Sequence, residues 1–337
     1  GPAPGAKNAF IWIGHLKNNG YMDILDRPIS QGRETIIYAP MTLDLGAPIE
    51  IKYYFHNKGG FGHAWINGPS TNISDAVKVP DTGNDFKEKI GPILENHNLN
   101  KFYKTRDKHF LKKLKNVYKI LKKIKKTLPK EKALIGFAGS PWTLLTYMIN
   151  KGSPKKNIKF LKNRKKKEVI KIIKRLEHLI YIHCKEQILA GADIIQLFDS
   201  WAGLIEKKNL KEFCINPNKN IVNKIKKNFP NNPVICFPKG INKNINNFIK
   251  EVNPHGISID YDINLKNLNL NNDVVFQGGM NPKFLLGNNK RMFEEAKKYL
   301  DFFKNKPYIF NLGHGILPKT KPENVKRLVE FVRSYNL

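Results

Sequence analysis

Cysteine is scarce: the 337-residue chain has three, Cys184, Cys214 and Cys236, at spacings of 30 and 22. Those spacings exclude a CxxC zinc ribbon and a disulfide-dense scaffold, and they fit a reducing compartment. Long apolar runs are missing too. No uninterrupted stretch approaches the roughly 20 residues of a membrane span. Acidic residues are few, 28 against 59 Lys and Arg, for a net charge of +31. Within that excess arginine is rare, with eight Arg against 51 Lys. A surface built to grip phosphates or carboxylates by bidentate forks favours Arg. The Lys excess, with abundant Asn and Ile, therefore reads as the bias of an AT-rich genome and as a solvated surface. The competing reading is a basic field that attracts nucleic acid or an acidic substrate. Core material is not lacking: apolar residues make up 41% and aromatics 11%. That excludes wholesale disorder and suffices for one large domain or two ordinary ones.

Residues 1–6, Gly-Pro-Ala-Pro-Gly-Ala, read as a cloning remnant outside the fold. Eight short apolar runs follow: 10–14, 35–39, 133–138, 194–198, 234–237, 257–260, 274–277 and 308–312. Each is too apolar for a half-exposed strand and suits a parallel strand covered on both faces. Helical patterns separate most of them. Phe110, Leu111, Leu114, Val117, Tyr118, Leu121 and Ile124 share one stripe that Pro129 stops. Further helices are expected over 169–189, over 203–229 with a break at Asn216-Pro217, over 282–303 and over 322–335, the last two opening on Pro. Strands alternating with helices predict an α/β fold, a (β/α)8 TIM barrel forming a single domain over 7–337. An open doubly wound sheet is the alternative, but no GxGxxG follows the first strand. The stretch 41–132, irregular and Gly-rich at its start, is expected to pass over one rim of the barrel.

Chemistry in this fold lies at the carboxyl ends of the strands. Those ends carry His15, Pro40, Gly139-Ser140-Pro141-Trp142, Asp199-Ser200, Lys239, Asp260, Gln277-Gly278-Gly279 and Asn311-Leu312-Gly313-His314-Gly315. HExxH, Cys/His clusters and GxxxxGK[ST] loops are absent. His314, between two glycines, has little side-chain cover, and its place at a strand end favours a pocket role over a structural one. Asp199-Ser200 is either a pocket pair or the N-cap of the next helix. Tyr147, on the helix after the third strand, either turns its hydroxyl to the mouth or serves as core.

Three blocks resemble the uroporphyrinogen decarboxylase family: Gly136–Ile149 (GFAGSPWTLLTYMI), Ala190–Gly203 (AGADIIQLFDSWAG), and Asn311–Pro318 (NLGHGILP) with Lys321–Val325 after it. Weaker matches are Pro233–Gly240 and Phe276–Pro282. The resemblance is good over 133–335 and poor over 10–132. It implies a barrel, usually a homodimer, that decarboxylates the four acetates of uroporphyrinogen III to give coproporphyrinogen III in haem synthesis. No metal and no organic cofactor take part; the protonated pyrrole ring is the electron sink. It also implies the site residues. Tyr147, Ser200 and His314 match polar pocket residues, the first two as hydrogen-bonding groups, and His314 as a carboxylate contact or proton-transfer group. Phe137 and Phe198 match pocket-lining aromatics. His15 and Lys239 are expected to meet substrate carboxylates. In AT-rich, apicomplexan-type genomes this step resembles a plastid activity, so the compartment stays open between plastid and cytoplasm.

The N-terminal part departs from the family pattern. The family's Arg-Gln-Ala-Gly-Arg-Tyr motif is replaced after Trp12, with His15 at the first Arg position and about Asn19 at the second. Pro40 stands where the family has its catalytic Asp, and Asp44 fits a non-catalytic position. Ser258 occupies a usual Asp position. Lys17, Lys52 or Lys239 are the cations available to replace the lost Arg, and Asp199 and Asp260 the carboxylates available for the lost Asp. A catalytically inactive member that binds a porphyrin, a protein partner or nucleic acid is therefore the competing function. A zinc-dependent corrinoid methyltransferase needs a His-x-Cys pair that Cys236 does not complete.

Overall fold

The computed structural model describes residues 99–335 apart from 130–131, 151–153, 155–163, 272 and 318; before residue 99 it describes only the backbone of eight short strands. These are β1 (Ile11–Trp12), β2 (Leu16–Lys17), β3 (Gly20–Met22), β4 (Pro28–Ile29), β5 (Glu34–Tyr38), β6 (Glu50–Phe55), β7 (Phe61–Asn67) and β8 (Val77–Lys78). They form two antiparallel sheets, ordered β1-β5-β6-β7-β8 and β2-β3-β4. The expected strands 10–14 and 35–39 are thus found as β1 and β5, but they pair antiparallel with each other, Trp12 opposite Ile37. A parallel pair needs a crossover, usually a helix. Between β1 and β5 the chain carries Gly20, Pro28 and Gly32 and no apolar repeat of helical period, and it runs through β2, β3 and β4 instead. The start of the 41–132 stretch is likewise less irregular than expected, because β6 and β7 pair antiparallel across it. His15, Pro40 and Asp44 lie outside the described residues.

The remaining elements are α1 (Leu99–Lys104), α2 (Asp107–Lys113), α3 (Lys115–Thr127), β9 (Ile135–Gly139), α4 (Pro141–Asn150), α5 (Lys166–Leu189), β10 (Ile194–Asp199), α6 (Asn216–Asn228), β11 (Val234–Pro238), α7 (Ile245–Val252), β12 (Gly256–Ile259), β13 (Val275–Gly278), α8 (Asn289–Phe302), β14 (Tyr308–Ile309) and α9 (Pro322–Ser334). β9 to β14 form one parallel sheet in sequence order. This is the α/β architecture of a (β/α)8 barrel, with six of its strand units among the described residues.

Alternation along the strands separates two faces. Ala138, Leu197, Cys236, Ile257 and Phe276 join the core shared with Ile172, Leu176 and Ile180 of α5. Phe137, Phe198, Phe237, Ser258 and Gln277 are buried on the opposite, inner face. The expected single stripe over 110–124 is divided: the helix breaks at Leu114, whose φ and ψ are −98° and 3°, and only α3 buries its part of the stripe. The break at Asn216-Pro217 takes the form of a π-helical turn over Lys211–Ile215 that runs into α6. Pro217 sits in the first turn of α6, directly after that π-helical turn.

Candidate active site

The inner face is built in layers. Ser258 Oγ, on β12, accepts from Gln196 Nε2 at 3.1 Å and from Gln277 Nε2 at 2.6 Å. Two residues further along β10, on the same face, stands Phe198. Its ring meets Phe137 edge-on, with centroids 5.9 Å apart, and Phe237 at 6.1 Å. The sequence reading placed Phe137 and Phe198 together but missed Phe237. The period-two register pairing Phe198 with Phe237 was the available signal. Ser258, weighed as a lost acidic position, is instead the acceptor that satisfies two buried amides.

Beyond the aromatic layer the strands end in two acidic side chains of different character. Asp199 is 1% exposed. Its Oδ1 accepts from Thr143 Oγ1 at 2.8 Å and its Oδ2 from Asn218 Nδ2 at 3.2 Å. Ser140 Oγ closes the network by donating to Asn218 Oδ1 at 2.8 Å. Burial pushes the Asp199 carboxyl up to about 6, against the lowering effect of its hydrogen bonds from Thr143, Cys214 and Asn218. It shares the strand face of Leu197, toward the helices, and ties β10 to α4 and α6. It is neither an N-cap, since no side chain caps the next helical turn, nor a carboxylate turned to the mouth.

Asp260 follows β12 with the parity of Ser258, on the inner face. It is 5% exposed. Its Oδ2 accepts from the Gly240 amide at 2.9 Å, and its Oδ1 is buried with no partner among the described residues. Burial raises its carboxyl above the usual range; Lys239 works in the opposite direction, and Asp262 adds to the rise. Lys239 itself is half-buried after β11. Its amide donates to Asp199 O at 3.1 Å and its carbonyl accepts from Gly203 N at 2.8 Å. Gly203 and Gly240 allow the two loops to touch: a Cβ on Gly203 would lie 2.9 Å from Gly240 Cα.

The other expected site residues stand around this pair. Tyr147, half-buried on α4, meets Trp201 edge-on at 6.0 Å, which brings it beside half-buried Ser200. The exit of β14 passes against the residue after Asp260: a Cβ on Gly313 would lie 2.5 Å from Tyr261 N. His314 follows Gly313 and is exposed. The structure thus brings Phe137 to Phe198, Tyr147 next to Ser200 through Trp201, and Lys239 to Asp260. His15 is outside the described residues. Among the described residues no three His, Cys, Asp or Glu side chains converge as metal ligands, and no helix is long and apolar enough to cross a membrane.

Comparison with known proteins shows the family and the fold. The family model described as uroporphyrinogen decarboxylase matches residues 81–335, beginning about fifty residues before the point where the motif resemblance becomes good. Uroporphyrinogen decarboxylase of Rickettsia bellii is 44% identical over 260 residues, which cover 74% of this chain and 75% of that protein. That of Rickettsia felis is 43% identical over 259 residues, 74% of this chain and 73% of that protein. A solved methyltransferase from Methanosarcina mazei has the same fold, with a TM-score of 0.55 and 21% identity, covering 65% of this chain and 63% of that one.

Proposed function

Because the chain belongs to the uroporphyrinogen decarboxylase family, we propose that it acts in haem biosynthesis by decarboxylating the acetate side chains of uroporphyrinogen III to coproporphyrinogen III. The family match over residues 81–335 carries this reading, since it spans all six described strand ends of the barrel. The reaction asks for four things: an apolar wall for a macrocycle, cations for its carboxylates, a carboxylate for its pyrrole nitrogens, and a proton donor. Protonation of the pyrrole carbon beside an acetate makes the ring an electron sink. The C–C bond to the carboxylate then breaks, carbon dioxide leaves, a proton adds to the exocyclic carbon, and the ring gives up its own.

In this reading Phe137 and Phe198 form the wall. Lys239 pairs with a substrate carboxylate as a point charge. Asp260, with Oδ1 free of other partners among the described residues, faces the pyrrole N–H groups and steadies the cationic ring. Such preorganised charge is usually the largest catalytic contribution. Tyr147 and Ser200 hold the substrate by hydrogen bonds, and His314 contacts a carboxylate or delivers a proton. Incubation with freshly reduced uroporphyrinogen III, followed by separation of the partly decarboxylated porphyrins, tests the proposal. Hepta- to penta-carboxylic intermediates are expected; their absence above the enzyme-free background refutes it.

One observation favours a second reading. The family match starts only at residue 81, so the replaced Arg motif and Pro40 lie outside it. A member that retains the pocket without that machinery would bind the tetrapyrrole and leave it unchanged, and the same incubation shows this as saturable binding without intermediates.

A further inference from the structure

A cavity of about 780 Å³ lies on the helical side of the sheet, between α1 and α2 and the pair α4 and α5. Its size falls in the range of small-molecule sites, roughly 300–1,000 Å³. Its walls include Phe102, Phe110, Leu144, Met148, Leu179 and Ile180. The exposed side chains of Lys101, Lys104, Arg106 and Lys113 also line it, and no acidic residue does. The α2 edge is fixed to α5: Asp107 is held by His178 Nε2 at 2.7 Å and by Arg175 at 3.6 Å, and Arg175 donates to Thr105 O.

One lining residue is unlike the rest. His183 is 2% exposed, and burial lowers its imidazole to about 4, so the ring is neutral. The Tyr118 hydroxyl is 2.9 Å from Nδ1. Burial raises the tyrosine, so its hydroxyl stays protonated and pairs with Nδ1 as donor or acceptor. Whichever ring nitrogen carries the proton, Nε2 is a buried polar atom with no partner among the described residues. Stranding such a group costs about 1–3 kcal/mol.

We propose that this cavity binds a single-chain anionic amphiphile, with its acyl chain along the Phe102 and Leu179 walls, its anionic head on the rim of lysines, and a polar linkage atom hydrogen-bonded to His183 Nε2. The chain's own segment 151–163 is the wrong partner for that rim, since it carries five Lys and no acidic residue. An apolar molecule without charge would leave four cations clustered around an empty rim.

The test is calorimetric titration of the full chain with 1-oleoyl lysophosphatidate below its micellar concentration, at low salt. One saturable site is expected, and affinity should fall by about tenfold or more in the double variant K101E/K104E, a shift equivalent to one or two lost charge contacts. His183→Leu should also weaken binding, and Leu179→Trp should abolish it by filling the cavity. K101E/K104E alters exposed positions, so it stays informative if a core variant fails to fold. Inorganic phosphate alone and dodecyltrimethylammonium should give no saturable signal. Equal binding of the cationic amphiphile, unchanged affinity in K101E/K104E, or no saturable binding because the chain itself occupies the cavity would each overturn the proposal.

Discussion

Gly240 and Asp260 join the ends of two neighbouring strands: the glycine amide donates to Asp260 Oδ2 at 2.9 Å and leaves Oδ1 buried and unpaired among the described residues. One oxygen positions the loop that carries Lys239, and the other is the one that the proposed function gives to the pyrrole N–H groups. Asp260→Asn separates the two roles. The Asn carbonyl still accepts from Gly240, so the fold should hold, while kcat for uroporphyrinogen III should fall about 100- to 1,000-fold. Initial rates by porphyrin chromatography check this; an unchanged kcat removes Asp260 from the chemistry.

Lys239→Ala should act on binding. Losing one charge-assisted contact to a substrate carboxylate costs about 1.5–3 kcal/mol, roughly a ten- to hundredfold rise in KM. The wild-type protein should also show a KM that climbs with salt more steeply than that of the variant. A variant whose KM and salt dependence match the wild type contradicts the role given to Lys239.

Asp199 predicts a pH dependence of stability. Its folded-state value of about 6 lies above the ordinary 3.8, so the native state binds the proton more tightly than the unfolded chain does. The resulting stabilisation is complete below about pH 3.8 and is lost as pH rises through about 6. Its size is roughly 3 kcal/mol, from about two pH units at 1.36 kcal/mol each. Asp199→Asn keeps an acceptor for Asn218 and cannot ionise. Urea unfolding at pH 4 to 8 should therefore show a flatter profile for the variant, with no loss of stability at pH 7. A variant that parallels the wild type across this window would show that Asp199 does not titrate there.

Ser258→Ala should destabilise without touching the mouth. It strands the side-chain amides of Gln196 and Gln277, both buried, at about 1–3 kcal/mol for each. Ser258→Ala/Gln277→Leu should recover part of that loss, since one stranded amide is gone. Denaturation midpoints of the two variants measure it, and a fully stable Ser258→Ala would mean that water replaces the hydroxyl.

The strands β9 to β13 were legible because parallel strands covered on both faces write themselves as short, mostly apolar runs, whereas β14, expected over 308–312, is only Tyr308–Ile309 with Ile309 exposed. The break before α6 was legible from Asn216-Pro217 within a helical pattern over 203–229. The first two strands were read as the same kind of element, yet β1 and β5 run antiparallel. An apolar run records burial but not the direction of its neighbour.

What the chain determined by itself is local: periodicity, breaks, the order of strand and helix, and which residue types stand at each strand end. Tertiary structure alone decided which face each polar group takes. Asp199 and Asp260 both close a strand, but one is satisfied by Thr143 and Asn218 beneath the helices and the other keeps an oxygen unpaired on the inner face. Their surroundings come from residues up to 56 positions away in the chain, and a carboxylate's character is set by what surrounds it in space.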